Sequence, residues 1–228
     1  MGNICIIPAR GGSKRIPRKN IKLFLDKPII AYSILAAIDS QLFEEVMVST
    51  DDPEIAEIAK HYGAKVPFMR SPKNSDDFAT TFDVLEEVIL NYKNKLNKEF
   101  TNFCCLYSCA PFVTKKTLNL AYKELKEKKF DSVFPVIPFS FPIQRALDKK
   151  EGKLSMIQKE YLNTRSQDLE ERYHDAGQFY WCDTKKLLEN KKILTANTGG
   201  IVISELEAQD IDTETDWKLA ELKYQLSK

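Results

Sequence analysis

Apolar and polar positions along the chain fall into two alternating kinds of segment, short unbroken apolar runs and longer amphipathic stretches. Residues 3–8 form an apolar run that predicts a buried strand. Pro28 then opens an apolar-periodic segment to about Ser40, a helix with proline in its first turn. Residues 45–50 predict the second strand, and Asp51-Asp52-Pro53 starts a helix that reaches Tyr62 and stops at Gly63. Residues 64–69 read as a short extended piece, and 80–95 as an amphipathic helix. A strand over 103–107, a helix over 114–126 and a strand over 131–137 follow. The order strand, helix, strand, helix predicts an α/β chain with a mostly parallel sheet covered on both faces.

The rhythm breaks after Ile137. Residues 138–170 carry Pro138, Pro142 and a charged turn at 148–153, with strand-like pieces on either side. This pattern predicts a hairpin excursion from the sheet. Phe139, Phe141, Ile143, Leu147, Leu154 and Met156 are many apolar residues for a lone surface hairpin, which favours a role in association over a mobile loop. The sheet resumes at 178–181, and a last helix covers 214–225.

Length changes the picture little: 228 residues suit one α/β domain over 1–228. With 34 basic and 33 acidic residues, the near-neutral balance gives no reason to expect a nucleic-acid or membrane partner. No apolar stretch is long enough to span a membrane, and no signal peptide precedes the first strand. The five cysteines show no C-x-x-C spacing and no neighbouring histidine cluster. They read as free thiols, an expectation that fits a cytoplasmic protein.

Charge matters locally. The first strand empties into Ala9-Arg10-Gly11-Gly12-Ser13-Lys14-Arg15-Ile16-Pro17-Arg18-Lys19-Asn20, a loop with two glycines and five cations. Glycines let backbone N–H groups approach phosphate oxygens, and cations neutralise them. The spacing matches neither G-x-x-x-x-G-K-[ST] nor G-x-G-x-x-G, so a solvated basic loop stays open beside a polyphosphate site. Asp210-Ile211-Asp212 places two carboxylates two residues apart, on one side if extended, which suits Mg²⁺. Helix capping by Asp212 or Thr213 is the rival reading.

The loop from Pro8 to Asn20 resembles the signature of the CMP-sialic acid synthetases, the acylneuraminate cytidylyltransferases, and the Lys19-Asn20 ending points to their nine-carbon branch. The resemblance extends over nearly the whole chain. It implies a Rossmann-like three-layer α/β/α nucleotidyltransferase with a mostly parallel sheet and a small hairpin dimerisation excursion at 138–170. The implied substrates are CTP and a nine-carbon 2-keto sugar acid, with Mg²⁺ as cofactor and a homodimer as the assembly. Ala9, Arg10, Gly11, Gly12, Ser13, Lys14, Lys19 and Asn20 would hold the nucleotide, with Arg70 near the cytosine. Arg10, Lys19 and Asp212 would carry catalysis, and Asp210 with Asp212 would bind the metal. The segment Ser49-Thr50-Asp51-Asp52 resembles a family motif near the nucleotide, although Asp51 and Asp52 read individually as caps of the next helix. Residues 76–81 correspond to a stretch bordering the site.

Tyr107 to Val113 departs from the family. Tyr107 stands where a glutamine would face the sugar, Cys109-Ala110 replace Thr-Ser, and Val113 replaces an arginine. Fewer hydrogen-bond donors imply a more apolar sugar, such as one with a methyl group at C9. Residues 139–147 and 165–181 resemble the pseudaminic acid cytidylyltransferases. Tyr107, Gln144, Arg145, Arg165, His174 and Gly177 are the expected substrate-binding residues, the arginines for the sugar's carboxylate. A core histidine is the alternative for His174. CMP-N-acetylneuraminic acid synthesis, a metal-dependent glycosyltransferase using Asp210-x-Asp212, and a non-catalytic nucleotide-binding protein are the competing functions.

Overall fold

The computed structural model describes residues 2–227. The elements in chain order are β1 (Asn3–Pro8), β2 (Leu23–Phe24), β3 (Lys27–Pro28), α1 (Ile29–Ser40), β4 (Glu45–Ser49), α2 (Pro53–His61), α3 (Thr81–Leu96), β5 (Asn102–Leu106) and α4 (Lys115–Lys128). They continue with β6 (Ser132–Pro138), β7 (Leu147–Lys150), β8 (Lys153–Met156), β9 (Tyr173–Asp175), β10 (Phe179–Asp183), α5 (Thr184–Asn190), β11 (Thr198–Val202) and α6 (Glu214–Leu226).

The main sheet runs β11-β6-β10-β5-β1-β4, with β9 also paired to β6. β1 is parallel to β4 and β5, and β11 is parallel to β6, whereas β10 lies antiparallel between β5 and β6. Side chains alternate between the two faces. Cys5, Ile7, Val48 and Leu106 pack under α1, α2 and α4, while Ile4, Ile6, Met47 and Phe103 pack under α3 and α5. Both faces are therefore buried, and the strands read as continuous apolar runs. The three-layer α/β/α arrangement is as expected.

The chain passes from β1 to β4 on one side of β1, then to β5 on the other. Loops leaving β1 and β5 both start at the carboxyl ends of adjacent parallel strands and lead to α1 and α4 on one face of the sheet, which brings the two loops together there.

A third apolar cluster lies at one end of the molecule. It joins Ile16 of the basic loop, Phe24 of the β2–β3 hairpin, Ile29 and Tyr32 of α1, Phe112, Ile211, and Trp217 and Ala220 of α6. Phe24 receives the edges of Tyr32, Trp217 and Tyr224 at centroid distances of 5.4, 5.7 and 5.6 Å. This cluster fixes the segment before α6 beside the first loop.

Residues 138–170 do leave the sheet. β7 and β8 form a hairpin closed by Glu151 (φ 49°) and Gly152 (φ 79°), a two-residue turn with both central residues left-handed. The chain then returns as β9, which pairs antiparallel with the end of β6. Residues 64–69 are the short extended piece expected: Lys65 bridges to Met47 on the free edge of β4. α5, β11, β9 and the β2–β3 hairpin were not anticipated. No helix among the described residues is long and apolar enough to cross a membrane.

The apolar cluster around Trp217 generates the first prediction. Trp217→Ala should lower the unfolding free energy by about 3–5 kcal/mol, measured by urea denaturation, because the indole is buried.

Candidate active site

The β1 loop is fixed at several points. Ala9 N–H donates to the Ser49 carbonyl at 2.9 Å, and Gly11 N–H donates to Asp51 Oδ1 at 2.9 Å. A Cβ on Gly11 would lie 2.7 Å from Asp52 Oδ2 and 3.0 Å from its Cβ, so glycine is required there by close approach; nothing lies within 4 Å of one on Gly12. Asp52 caps α2, its Oδ1 accepting from Ile55 N–H at 3.0 Å. The two acids after β4 thus divide their work, Asp51 on the loop and Asp52 on the helix.

Asn20 is the loop's second anchor. Its Nδ2 donates to the Arg10 carbonyl at 2.8 Å, and its Oδ1 accepts from Ser108 Oγ at 2.7 Å and Cys109 Sγ at 3.4 Å. Burial pushes the Cys109 thiol up to about 11, so it stays protonated and able to donate. Asn20 thereby ties the loop to the end of β5. Sequence reasoning missed Ser108; its position just past a buried strand was the available signal.

The cations form a graded set. Arg10 donates through Nη1 to Asp77 Oδ1 at 2.8 Å and to the Asp76 carbonyl at 2.9 Å, and Lys14 pairs with Asp77. Arg15 lies 2.8 Å from Asp212 Oδ1. Lys19 donates to the Ile211 carbonyl at 2.7 Å and stands 3.7 Å from Asp212. Arg18 faces elsewhere: at φ 55° it turns to Asp52 and Glu54, which raise its pKa. Four of the five loop cations, Arg10, Lys14, Arg15 and Lys19, line an open cleft of 430 Å³ together with Ser13, Asn20, Arg70 and Tyr107.

Arg70 is nearly buried, with Nε 3.1 Å from Ser49 Oγ and Nη2 on the Ser49 carbonyl. Burial lowers its pKa, and Asp51 and Glu87 oppose that. Tyr107 packs its edge on Tyr180 at 5.6 Å, and its hydroxyl lies 3.4 Å from Thr81 Oγ1. Burial raises its pKa.

A second cleft of 360 Å³ is lined by His174, Gly177, Phe139 and Asp210. His174 is exposed, not a core residue. Its Nδ1 lies 3.0 Å from the Asp175 carbonyl, and its ring lies 5.0 Å from that of Phe139. Gly177, at φ 64°, donates its N–H to Asp175 Oδ1 at 2.8 Å, while Tyr180 donates to Oδ2 at 2.6 Å. Asp210 faces this cleft and Asp212 faces the cations of the first, so the acidic pair sits on the ridge between them.

The capping question resolves locally. Thr213 caps α6 in a reciprocal box with Asp216, leaving the Asp212 carboxylate to Arg15 and Lys19. Ile211 is buried, so Asp210 and Asp212 project away from the core. Desolvation and the like charge of Asp212 raise the Asp210 carboxyl. A cation would relieve that repulsion. No group of three His, Cys, Asp or Glu residues among the described residues is arranged to hold a metal. Two carboxylates still fit Mg²⁺, which keeps water and phosphate oxygens in its shell.

Gln144, Arg145 and Arg165 line neither cleft of this chain. They belong to the excursion. Gln144 Nε2 donates to the Glu170 carbonyl at 2.7 Å while its buried Oε1 has no partner. Arg145 stands 3.4 Å from Ser166 Oγ, and Arg165 pairs with Asp168 at 2.7 Å.

A family model described as "Cytidylyltransferase" matches residues 4–199, which contain the β1 loop and both cleft walls up to β11. The chain belongs to the cytidylyltransferase family. As such it is a CTP-dependent nucleotidyltransferase. The chain is 42% identical over 228 residues to the pseudaminic acid cytidylyltransferase of Campylobacter jejuni, covering 100% of this cytidylyltransferase and 98% of that protein. It is 36% identical to the CMP-N,N'-diacetyllegionaminic acid synthase of Legionella pneumophila, covering 99% and 97%. Its fold matches a CMP:2-keto-3-deoxy-manno-octonic acid synthetase solved with CTP, at a TM-score of 0.71 and 16% identity over 100% and 99% of the two chains.

The glycine geometry gives the second prediction. Gly11→Ala should cost about 1–3 kcal/mol of stability and weaken CTP binding, whereas Gly12→Ala should leave stability within about 0.5 kcal/mol. Urea titrations of both variants and calorimetry of the first check this.

Proposed function

We propose that this cytidylyltransferase transfers CMP from CTP to the C2 hydroxyl of pseudaminic acid, releasing pyrophosphate and forming the activated sugar. The observation that carries the reading is the gathering of four loop cations in one cleft at the carboxyl end of β1, two of them, Arg15 and Lys19, beside Asp212, inside a chain 42% identical to a pseudaminic acid cytidylyltransferase over its full length.

The triphosphate lies in the first cleft. Gly11, Gly12 and Ser13 let it approach the backbone, and Ala9 is fixed to Ser49 beneath it. Arg10, Lys14 and Lys19 bind its oxygens and stabilise the departing pyrophosphate, so catalysis is mainly positioning and charge stabilisation. Asn20 orients the nucleotide by holding the backbone of Arg10, and Arg70 faces the base. The sugar's C2 hydroxyl gives its proton to solvent and its oxygen bonds to the α-phosphorus as the bond to the bridging β-phosphate oxygen breaks.

The sugar acid enters from the second cleft, along His174 and Gly177, with Tyr107 presenting a largely apolar face. Asp210 and Asp212 would hold Mg²⁺ between the clefts; when bound, that ion lowers the pKa of the attacking hydroxyl and neutralises phosphate charge. The protein works as a homodimer. Phe141 is 85% exposed on the excursion, and Leu154, Ile157 and Leu162 are also exposed there, so the excursion presents an apolar surface for a second copy. In that assembly Arg145 and Arg165 reach the partner's sugar carboxylate.

Pyrophosphate release should appear with CTP, Mg²⁺ and pseudaminic acid, and be absent with N-acetylneuraminic acid or Kdo. Strong release with N-acetylneuraminic acid would keep the reaction and overturn the sugar. Asp212→Asn should lower kcat by about a hundredfold or more while leaving the KM for CTP within about threefold. An equal loss in both would remove Asp212 from the chemical step.

A further inference from the structure

Asp77 is an acid inside a site built for polyanions. Its carboxylate takes Arg10 through Oδ1 and Lys14 through Oδ2, two of the cations assigned above to the triphosphate. Lys14 first, then Arg10, hold its carboxyl below the usual carboxylate range, so it is fully ionised at neutral pH. A phosphate group competes with this carboxylate for Arg10 Nη1 and Lys14 Nζ.

The segment that carries Asp77 is a small closed turn. Asp76 Oδ1 accepts the N–H groups of Phe78 and Ala79 at 2.9 and 2.8 Å, and its carbonyl accepts from Arg10. Thr80 then caps α3 in a reciprocal box with Asp83. The turn is thus shaped by its own bonds, and Arg10 and Lys14 join it to the β1 loop. Phe78, at its tip, is 89% exposed. Ala79, Thr80 and Thr81 line the nucleotide cleft.

We propose that Asp77 is a built-in counter-anion, a placeholder that the triphosphate of CTP displaces and that returns to Arg10 and Lys14 as pyrophosphate departs. The inference rests on the reading of the first cleft as the CTP site. Asp77 acts through the two cations and touches no reacting atom. It keeps them ordered and neutralised between turnovers, and it competes with both the substrate and the leaving product. Its effect on affinity is therefore opposite in sign to that of a residue that merely supports the loop.

The test compares wild type, Asp77→Asn and Asp77→Glu by calorimetry with CTP and with inorganic pyrophosphate, and by steady-state kinetics. Two exposed ion pairs lost in the free protein should tighten binding of both anions by about three- to tenfold. KM for CTP should fall with it while kcat does not rise, because pyrophosphate leaves more slowly. Asp77→Glu should restore wild-type behaviour. Weaker binding by Asp77→Asn beside normal binding by wild type would overturn the placeholder and make Asp77 a support of the loop. Failure of wild type to bind CTP would instead overturn the reading of the cleft. Phe78→Trp offers an independent readout: its emission should change saturably as pyrophosphate is added, and an unchanged signal alongside measured binding would overturn displacement of the turn.

Discussion

Burial of Ile16 and Ile211 in one apolar cluster is the constraint on which the site depends. These residues come from opposite ends of the chain, one in the basic loop and one between Asp210 and Asp212. Beside that cluster, Asp212 is held near Arg15 and Lys19 by the Lys19 hydrogen bond to the Ile211 carbonyl and by exposed ion pairs. Such pairs contribute little on their own, being solvated and costly in side-chain entropy. The hydrophobic contact supplies the placement, and the charges use it. Phe24, Tyr32 and Trp217 surround the two isoleucines, so α1, α6 and the β2–β3 hairpin all serve the same junction.

The charges in turn are balanced within the site. Each of the four loop cations lining the nucleotide cleft has an acidic partner, and those partners come from two other segments, the turn before α3 and the piece before α6. Asn20 spends its whole amide on Arg10, Ser108 and Cys109, so the loop keeps its shape independently of those ion pairs. Backbone geometry and charge balance are thereby held by separate groups. A ligand can exchange the second without dismantling the first.

Much of the fold was legible because β1, β4, β5 and β6 are covered on both faces and read as apolar runs. β11 was not, since Thr198-Gly199-Gly200 looks like a loop and only Ile201 of the strand is buried. Its glycine has a packing cause that no local pattern reveals: a Cβ on Gly199 would lie 2.4 Å from the Phe130 ring. α5 is seven residues long with only Leu187 buried, too short for a periodic signal. In the site, the basic loop, the Asp210–Asp212 pair and the cap at Asp52 were visible as local chemistry. The partners were not. That Arg18 turns away to Asp52 and Glu54, and that Asp77 faces Arg10, are properties of chain segments brought together only by the folded sheet.

The excursion leaves the sheet at the end of β6 and returns at β9, its neighbour in the same ladder. Its two ends are thus already adjacent before any of it orders. Closing such an insertion has an entropic cost that grows only with the logarithm of its length. No residue of the excursion lines the nucleotide cleft, so its outer residues can be lengthened, shortened or resurfaced at little cost to that cleft. The excursion is therefore the part of the molecule whose change disturbs folding least.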